Sequence, residues 1–226
     1  MAIDLSIIDV FSAATPNSQQ AIQSAIQSRF IPKGQPIFQD KDPVQQVCFL
    51  AKGYATLYKI GREGEKKVIF ICGAGEMLNE VILQDNYASI SAQALTDCMV
   101  YTIDSARFRQ IMMEDYQVAE AVMASMAIKI RRLYHQLKNT PGSVNLNRQL
   151  RAKLWKLARD HGVPKAEGIE IDIDLSLSFL ADMVGAKRET VSRQMKQLAA
   201  EGLICVSKKR IIIPDPEKLI DFMYKA

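Results

Sequence analysis

Between residues 30 and 104 the apolar positions come in short runs, and Gly, Pro and Asp break them. "QPIFQDKD", "VCFLAKG", "YATLYKI", "KKVIFICGAG" and "CMVYTID" read as strands at spacings suited to an antiparallel sandwich or barrel. "GREGEKK" reads as a hairpin turn between two of them. Ser105 is a candidate cap for a short helix, "SARFRQIMMED". The period then changes. From about Tyr116 to about Asn139, Ala119, Met123, Met126, Ile130, Leu133 and Leu137 recur at alternating spacings of four and three. That is an a/d seam, the pattern of a helix that pairs with another helix. Lys129, Arg131, Arg132 and Lys138 fall on the opposite face. A helix packed only on its own barrel would carry a wider apolar stripe. Two chains sharing the seam make a symmetric dimer, with Met123, Met126, Ile130, Leu133 and Leu137 at its interface.

"NTPGS" at 139–143 stops that helix and marks a domain boundary. Asn147 is a candidate cap for the next helix, "RQLRAKLWKLARDHG", which Gly162 ends. "IEIDIDL" alternates like a strand. Ser176 or Ser178 can cap "LSFLADMV", and Gly185 makes a tight turn into "RETVSRQMKQLAAEG". "LICVSKKRIII" reads as a hairpin with a basic tip, and Asp215 with Pro216 starts a last helix. Helix, Gly-containing turn, helix and basic hairpin form a winged helix-turn-helix plan. The expected fold is α+β: an N-terminal antiparallel sandwich or barrel over 1–115, a long dimerisation helix and hinge over 116–142, and a winged helix-turn-helix over 143–226.

Composition narrows the class. The 226 residues are 48% hydrophobic and 24% charged, with a formal net charge of +4, ordinary for a globular protein and mildly basic. Lysine and arginine crowd residues 147–213, an asymmetry that points to nucleic acid more than the total does. No apolar run reaches the ~18 residues of a membrane span, and the N-terminus has no basic region before its apolar residues. Cys48, Cys72, Cys98 and Cys205 are scattered without a CxxC pair, which argues for reduced thiols and a cytoplasmic setting.

On a helical wheel starting at Arg188, Ser192 lies near ~40°, Lys196 near ~80°, Glu189 near ~100° and Arg193 near ~140°. Val191, Met195 and Leu198 cluster on another arc and can anchor the helix from behind. Arginine matches guanine O6 and N7 bidentately in the major groove, and glutamate accepts from cytosine N4. Arg188 and Arg193 are therefore candidate guanine readers, with Glu189 reading a cytosine on the complementary strand. Lys187, Ser192 and Lys196, with Ser207, Lys208, Lys209 and Arg210 of the hairpin, are candidate phosphate contacts. The alternative is a Glu189–Arg193 ion pair on a wet helix, worth a few tenths of a kcal/mol.

"MVGAKRETVSRQMKQLAAEGLI" resembles the recognition helix of the cyclic-AMP receptor/FNR superfamily of bacterial transcription regulators. "IPKGQPIFQDKD", "VCFLAKGYATLYKIGREGEKKVIFICGAGEML" and "SARFRQIMMED" resemble its cyclic-nucleotide-binding-like roll, and 116–139 falls at its dimerisation helix. The resemblance implies a homodimer on double-stranded DNA, base contacts by Arg188, Glu189 and Arg193, and a TGTGA-like palindrome. An activator would also meet RNA polymerase. It places an effector pocket near Asn79, Glu80, Ser89, Tyr134 and Leu137.

The family's ligand signatures are altered here. Glu80 matches the glutamate that takes the ribose hydroxyl, but Asn79 replaces a glycine and Ala88-Ser89 stands where Arg-Ser is expected. Gln136 and Leu137 replace the hydroxyl residues that meet adenine. A cyclic phosphate would lack its charge-assisted partner, so cyclic AMP is not the expected effector. No cysteine precedes Cys48, against an FNR-type iron–sulfur cluster, and only His135 and His161 could serve as haem ligands. The expected effector is a small organic molecule, the alternative being no effector at all and control by abundance; "NEVILQDNYASISAQ" resembles the branch that senses halogenated aromatic acids. No nucleophile–base pair, metal-ligand motif or P-loop points to an enzyme. The competing reading is a cyclic-nucleotide-binding regulatory or scaffold module without a DNA role.

Overall fold

The computed structural model describes residues 3–84, 87–138, 146–207 and 210–221; within the long helix, the side chains of Leu137 and Lys138 lie outside the described residues. The chain divides into two compact units, Met1–Lys59 with Val68–His135, and Ile60–Lys67 with Gln136–Ala226.

The first unit runs α1 (Pro16–Ala25), β1 (Gln27–Ile31), β2 (Pro36–Phe38), β3 (Gln46–Lys52), β4 (Ala55–Ile60), β5 (Lys66–Cys72), β6 (Ser91–Ala94), β7 (Cys98–Asp104), α2 (Ser105–Glu114) and α3 (Tyr116–Lys138). Its strands form two sheets, ordered β1-β7-β3 and β2-β6-β4-β5. The central ladder is antiparallel, with Cys48 opposite Thr102 and Leu50 opposite Val100.

β3 is buried on both faces, which is why "VCFLAKG" reads as a continuous apolar run and not as an alternation. Cys48 and Leu50 face a core with Leu57, Phe70, Ala92 and Val100. Val47, Phe49 and Ala51 face a second core that the helices close with Ile22, Phe108, Val118 and Val122. At its centre, the Phe49 ring lies 4.8 Å from Phe11 and 5.5 Å from Phe108, in the tilted arrangements aromatic rings prefer.

Asp104, not Ser105, caps α2: its carboxylate accepts from the N–H groups of Ala106 and Arg107, both at 3.0 Å. Ser105 is the first helical residue and is buried. Asp115 fixes the start of α3. It accepts from the Thr15 N–H at 2.9 Å, the Thr15 hydroxyl at 2.8 Å and the Gln117 N–H at 3.0 Å. These bonds, the Thr15 N–H foremost, hold its carboxyl down to about 2 from an ordinary 3.8. Because the folded value lies below the unfolded one, this contribution is complete above about pH 4 and is lost as pH falls through about 2. Asp115→Asn is expected to lower stability at neutral pH and to flatten its fall over that acid window, as followed by thermal unfolding.

The second unit runs α4 (Leu146–His161), β8 (Gly162–Lys165), β9 (Gly168–Ile171), α5 (Leu177–Val184), α6 (Arg188–Ala200), β10 (Cys205–Ser207), β11 (Arg210–Ile213) and α7 (Pro216–Ile220). Its strands make one sheet, ordered β10-β11-β9-β8. β8 has no counterpart in the sequence expectations. It lies at the sheet edge, where Pro164 removes no needed ladder donor. Gly168, at φ +136°, lets β9 start against β11, because a Cβ there would stand 2.3 Å from the Ile213 carbonyl oxygen.

Asn147 does not cap α4; it lies inside the helix, which begins at Leu146. Asp215 and Pro216 start α7 as expected, the Asp215 carboxylate accepting from the Glu217 N–H at 3.2 Å. Arg151 ties α4 to α7 through the Leu219 and Lys218 carbonyls and the Asp221 carboxylate. No helix among the described residues is long and apolar enough to cross a membrane.

Candidate functional site

The α5–turn–α6 unit follows from its caps. The Ser176 hydroxyl accepts from the Phe179 N–H at 3.0 Å and fixes the start of α5. Gly185 ends it in the left-handed region, φ +68°, while its N–H and that of Ala186 both donate to the Ala181 carbonyl. A Cβ at Gly185 would meet no atom within 4 Å, so glycine is needed there for its backbone angle and not for space. α6 then buries Val191, Met195 and Leu198. Lys187, Arg188, Glu189, Arg193 and Lys196 are exposed and Ser192 is half-buried.

Among the described residues, Arg188, Glu189 and Arg193 have no hydrogen-bond or ion-pair partner, so the Glu189–Arg193 pair does not form. No side chain caps the first turn of α6, which leaves its amide donors and positive dipole end available to an anion. Behind it, the Asn147 amide donates to Gln194 Oε1 at 2.9 Å and links α4 to the rear flank of α6. That link has no motif in the sequence.

The β10–β11 hairpin pairs Ser207 with Arg210 in register. Ser207 is exposed, and Lys208 and Lys209 lie outside the described residues. Arg210 departs from its expected role. Its guanidinium reaches Asp172 at 3.0 Å and Asp174 at 3.3 Å, with Glu170 at 4.0 Å, so a phosphate would have to compete with carboxylates. The alternating acids of "IEIDIDL" were the available signal, since one face of a strand must find cations or water.

On α3 the expected seam stands open. Met123 is 49% exposed, Ile130 46% and Leu133 39%, while Met126 packs partly against its own core. The face turned to the roll carries Val118, Val122, Ser125, Lys129 and Arg132. Lys129 and Arg132, which the sequence sets opposite the seam, therefore meet the roll and not only water. Lys129 is paired with Glu80 at 2.7 Å and Arg132 with Glu76 at 3.1 Å.

Two of the five expected effector-pocket residues are engaged within the unit itself. Asn79 is buried, and its side chain stitches β3: Oδ1 accepts from the Cys48 N–H at 2.8 Å and Nδ2 donates to the Gln46 carbonyl at 2.9 Å. Glu80 is buried and engaged by Lys129 and Ser125. Ser89 and Tyr134 are exposed, and the Leu137 side chain lies outside the described residues. An open cleft of about 230 Å³ on this unit is lined by Arg29, Phe38, Asp42, Gln46 and Cys48, the last two bonded to Asn79 through their backbones.

Burial pushes the Cys48 thiol up to about 12 and raises those of Cys72 and Cys98 as well, which disfavours the thiolate in all three; Cys205 is exposed. Among the described residues, no cluster of His, Cys, Asp and Glu could hold a metal ion.

Comparison with known proteins places both units. Residues 28–115 match the cyclic nucleotide-binding domain, and residues 148–222 match the Crp-like helix-turn-helix domain. The chain is 23% identical over 216 residues to a CRP-like cAMP-activated global transcriptional regulator of Mycobacterium tuberculosis, covering 93% of this chain and 94% of that one. It is 26% identical over 190 residues to the global nitrogen regulator of Synechococcus elongatus, covering 83% and 85%. Among solved structures, the c-di-GMP responsive global regulator of Xanthomonas campestris shares the fold, with a TM-score of 0.78 at 17% identity over 89% of this chain and all of that one.

Proposed function

We propose, for a chain that belongs to the CRP/FNR superfamily of bacterial transcription regulators, that it acts as a homodimer reading a TGTGA-like palindrome with α6. One observation carries the reading: Arg188, Glu189 and Arg193 stand exposed and uncommitted on a helix whose other face is buried. Exposed arginines without partners have their full donor sets free for guanine edges. Lys187, Ser192, Lys196 and Ser207, with Lys208 and Lys209 of the hairpin tip, set the register on phosphates. The exposed Met123, Ile130 and Leu133 of α3 pair across a two-fold axis, and so place two recognition helices on half-sites a helical turn apart. In this reading residues 1–115 are the sensor, 116–142 the dimerisation helix and hinge, and 143–226 the DNA-binding domain.

The names of the relatives differ in this respect: one is cAMP-activated, one is a global nitrogen regulator and one is c-di-GMP responsive. The shared fold therefore does not set the effector. A small organic effector acts here by shifting the population of DNA-competent dimers.

Fluorescence anisotropy on a labelled TGTGA-N6-TCACA duplex tests the base-reading claim. Arg188→Ala and Arg193→Ala are each expected to weaken binding by about 1–3 kcal/mol and to relax specificity at one position. Lys196→Ala is expected to weaken all sequences alike. A protein that binds no duplex at all would favour the scaffold reading.

A further inference from the structure

We propose that the polar cluster between the turn Glu80–Leu83 and the middle of α3 is an ammonium-binding site that the chain fills with its own Lys129. This rests on the reading of the first unit as a sensor. Lys129 Nζ donates to Glu80 Oε2 at 2.7 Å and to the Met77 carbonyl at 2.6 Å, and the Ser125 hydroxyl donates to Glu80 Oε1 at 2.8 Å. The Lys129 and Glu80 side chains are only 12% and 7% exposed.

Three of the four polar partners at this point are acceptor oxygens, and the one hydroxyl spends its proton on the carboxylate. Such a set takes a cation with N–H donors and repels an anion. The Glu76–Arg132 pair, three residues along α3, repeats the sign: carboxylate from the strand side, cation from the helix. The buried cost of the pair is recovered only because its oxygens are matched. At this point the contact between roll and α3 is thus made by a tethered ligand, 49 residues from Glu80 in sequence. The diffusible ligand that could take the same oxygens is a small primary amine.

The test is chemical rescue. Truncation to Lys129→Ala leaves Glu80 buried without its partner, and the melting temperature of the full chain is expected to fall by roughly 6–20 °C. Titrated n-propylammonium chloride should restore it saturably. Tetramethylammonium chloride, equal in charge but without N–H donors, should not. In Lys129→Ala/Glu80→Gln the amine should lose its effect. Equal recovery by both salts, rescue that survives Glu80→Gln, or an unchanged melting temperature in Lys129→Ala would each overturn the proposal.

Should Lys129→Ala fail to fold, ¹⁵N-lysine NMR of the unmodified protein decides. One slowly exchanging ammonium signal, absent from Lys129→Met, is expected; ammonium groups that all exchange like surface lysines would refute it. No arm reads DNA binding, so failure here leaves the base-reading claim standing, and the converse also holds.

Discussion

Ile130→Glu combined with Leu133→Glu is expected to turn the proposed dimer into a monomer and to lower affinity for the proposed palindrome by about two to four orders of magnitude. The size follows from effective concentration: once one half-site is bound, a linked partner meets the second at millimolar local concentration, and a monomer does not. Both side chains are substantially exposed within one chain, so the new carboxylates meet water in the separated protomer and its melting behaviour should change little. At a paired seam they would bring like charges into apolar contact, which a helix pair does not tolerate. Sedimentation velocity at micromolar protein separates the cases. A double variant that still sediments as a dimer would place the interface elsewhere.

Phe49→Ala is expected to cost about 3–5 kcal/mol of unfolding free energy, read as a lower denaturant midpoint. Phe49 is fully buried and packs between Phe11 and Phe108, so one truncation removes both ring contacts. The surrounding groups come from β3, α2 and the segment before α1, which cannot close together around the void without moving the sheet. A loss below about 1 kcal/mol would mean that this aromatic centre is not the core of the first unit.

The helix-turn-helix was legible because its signals are local. Ser176 at the cap, Gly185 at the turn and the Val191, Met195, Leu198 arc each lie within one turn of what they specify. Where two capping residues adjoin, as at Asp104 and Ser105, sequence offers no way to choose between them. Strand β8 escaped because Gly162 and Pro164 read as breakers, and its partner β9 supplies what its own propensity lacks. In "VCFLAKG" the strand was visible, but its two buried faces were not separable.

The first unit was least legible. A wheel that opposes a seam to a charged face has only two sides, whereas α3 has three: seam, roll and water. Lys129 and Arg132 look like solvent charges until Glu80 and Glu76, distant in sequence, are brought against them. Likewise Asn79 reads as a ligand-loop residue, yet its amide supplies β3 with hydrogen bonds no strand provides. Long-range pairing of this kind leaves no periodic trace.

The central claim is that α6 reads base sequence. It is tested most directly by competing labelled TGTGA-N6-TCACA duplex with an unlabelled scrambled duplex of the same length and composition, at roughly 150 mM salt so that phosphate contacts alone do not dominate. A discrimination of at least about 10³-fold in favour of the palindrome is predicted. Equal competition by the scrambled duplex would contradict the assignment of Arg188, Glu189 and Arg193 as base readers.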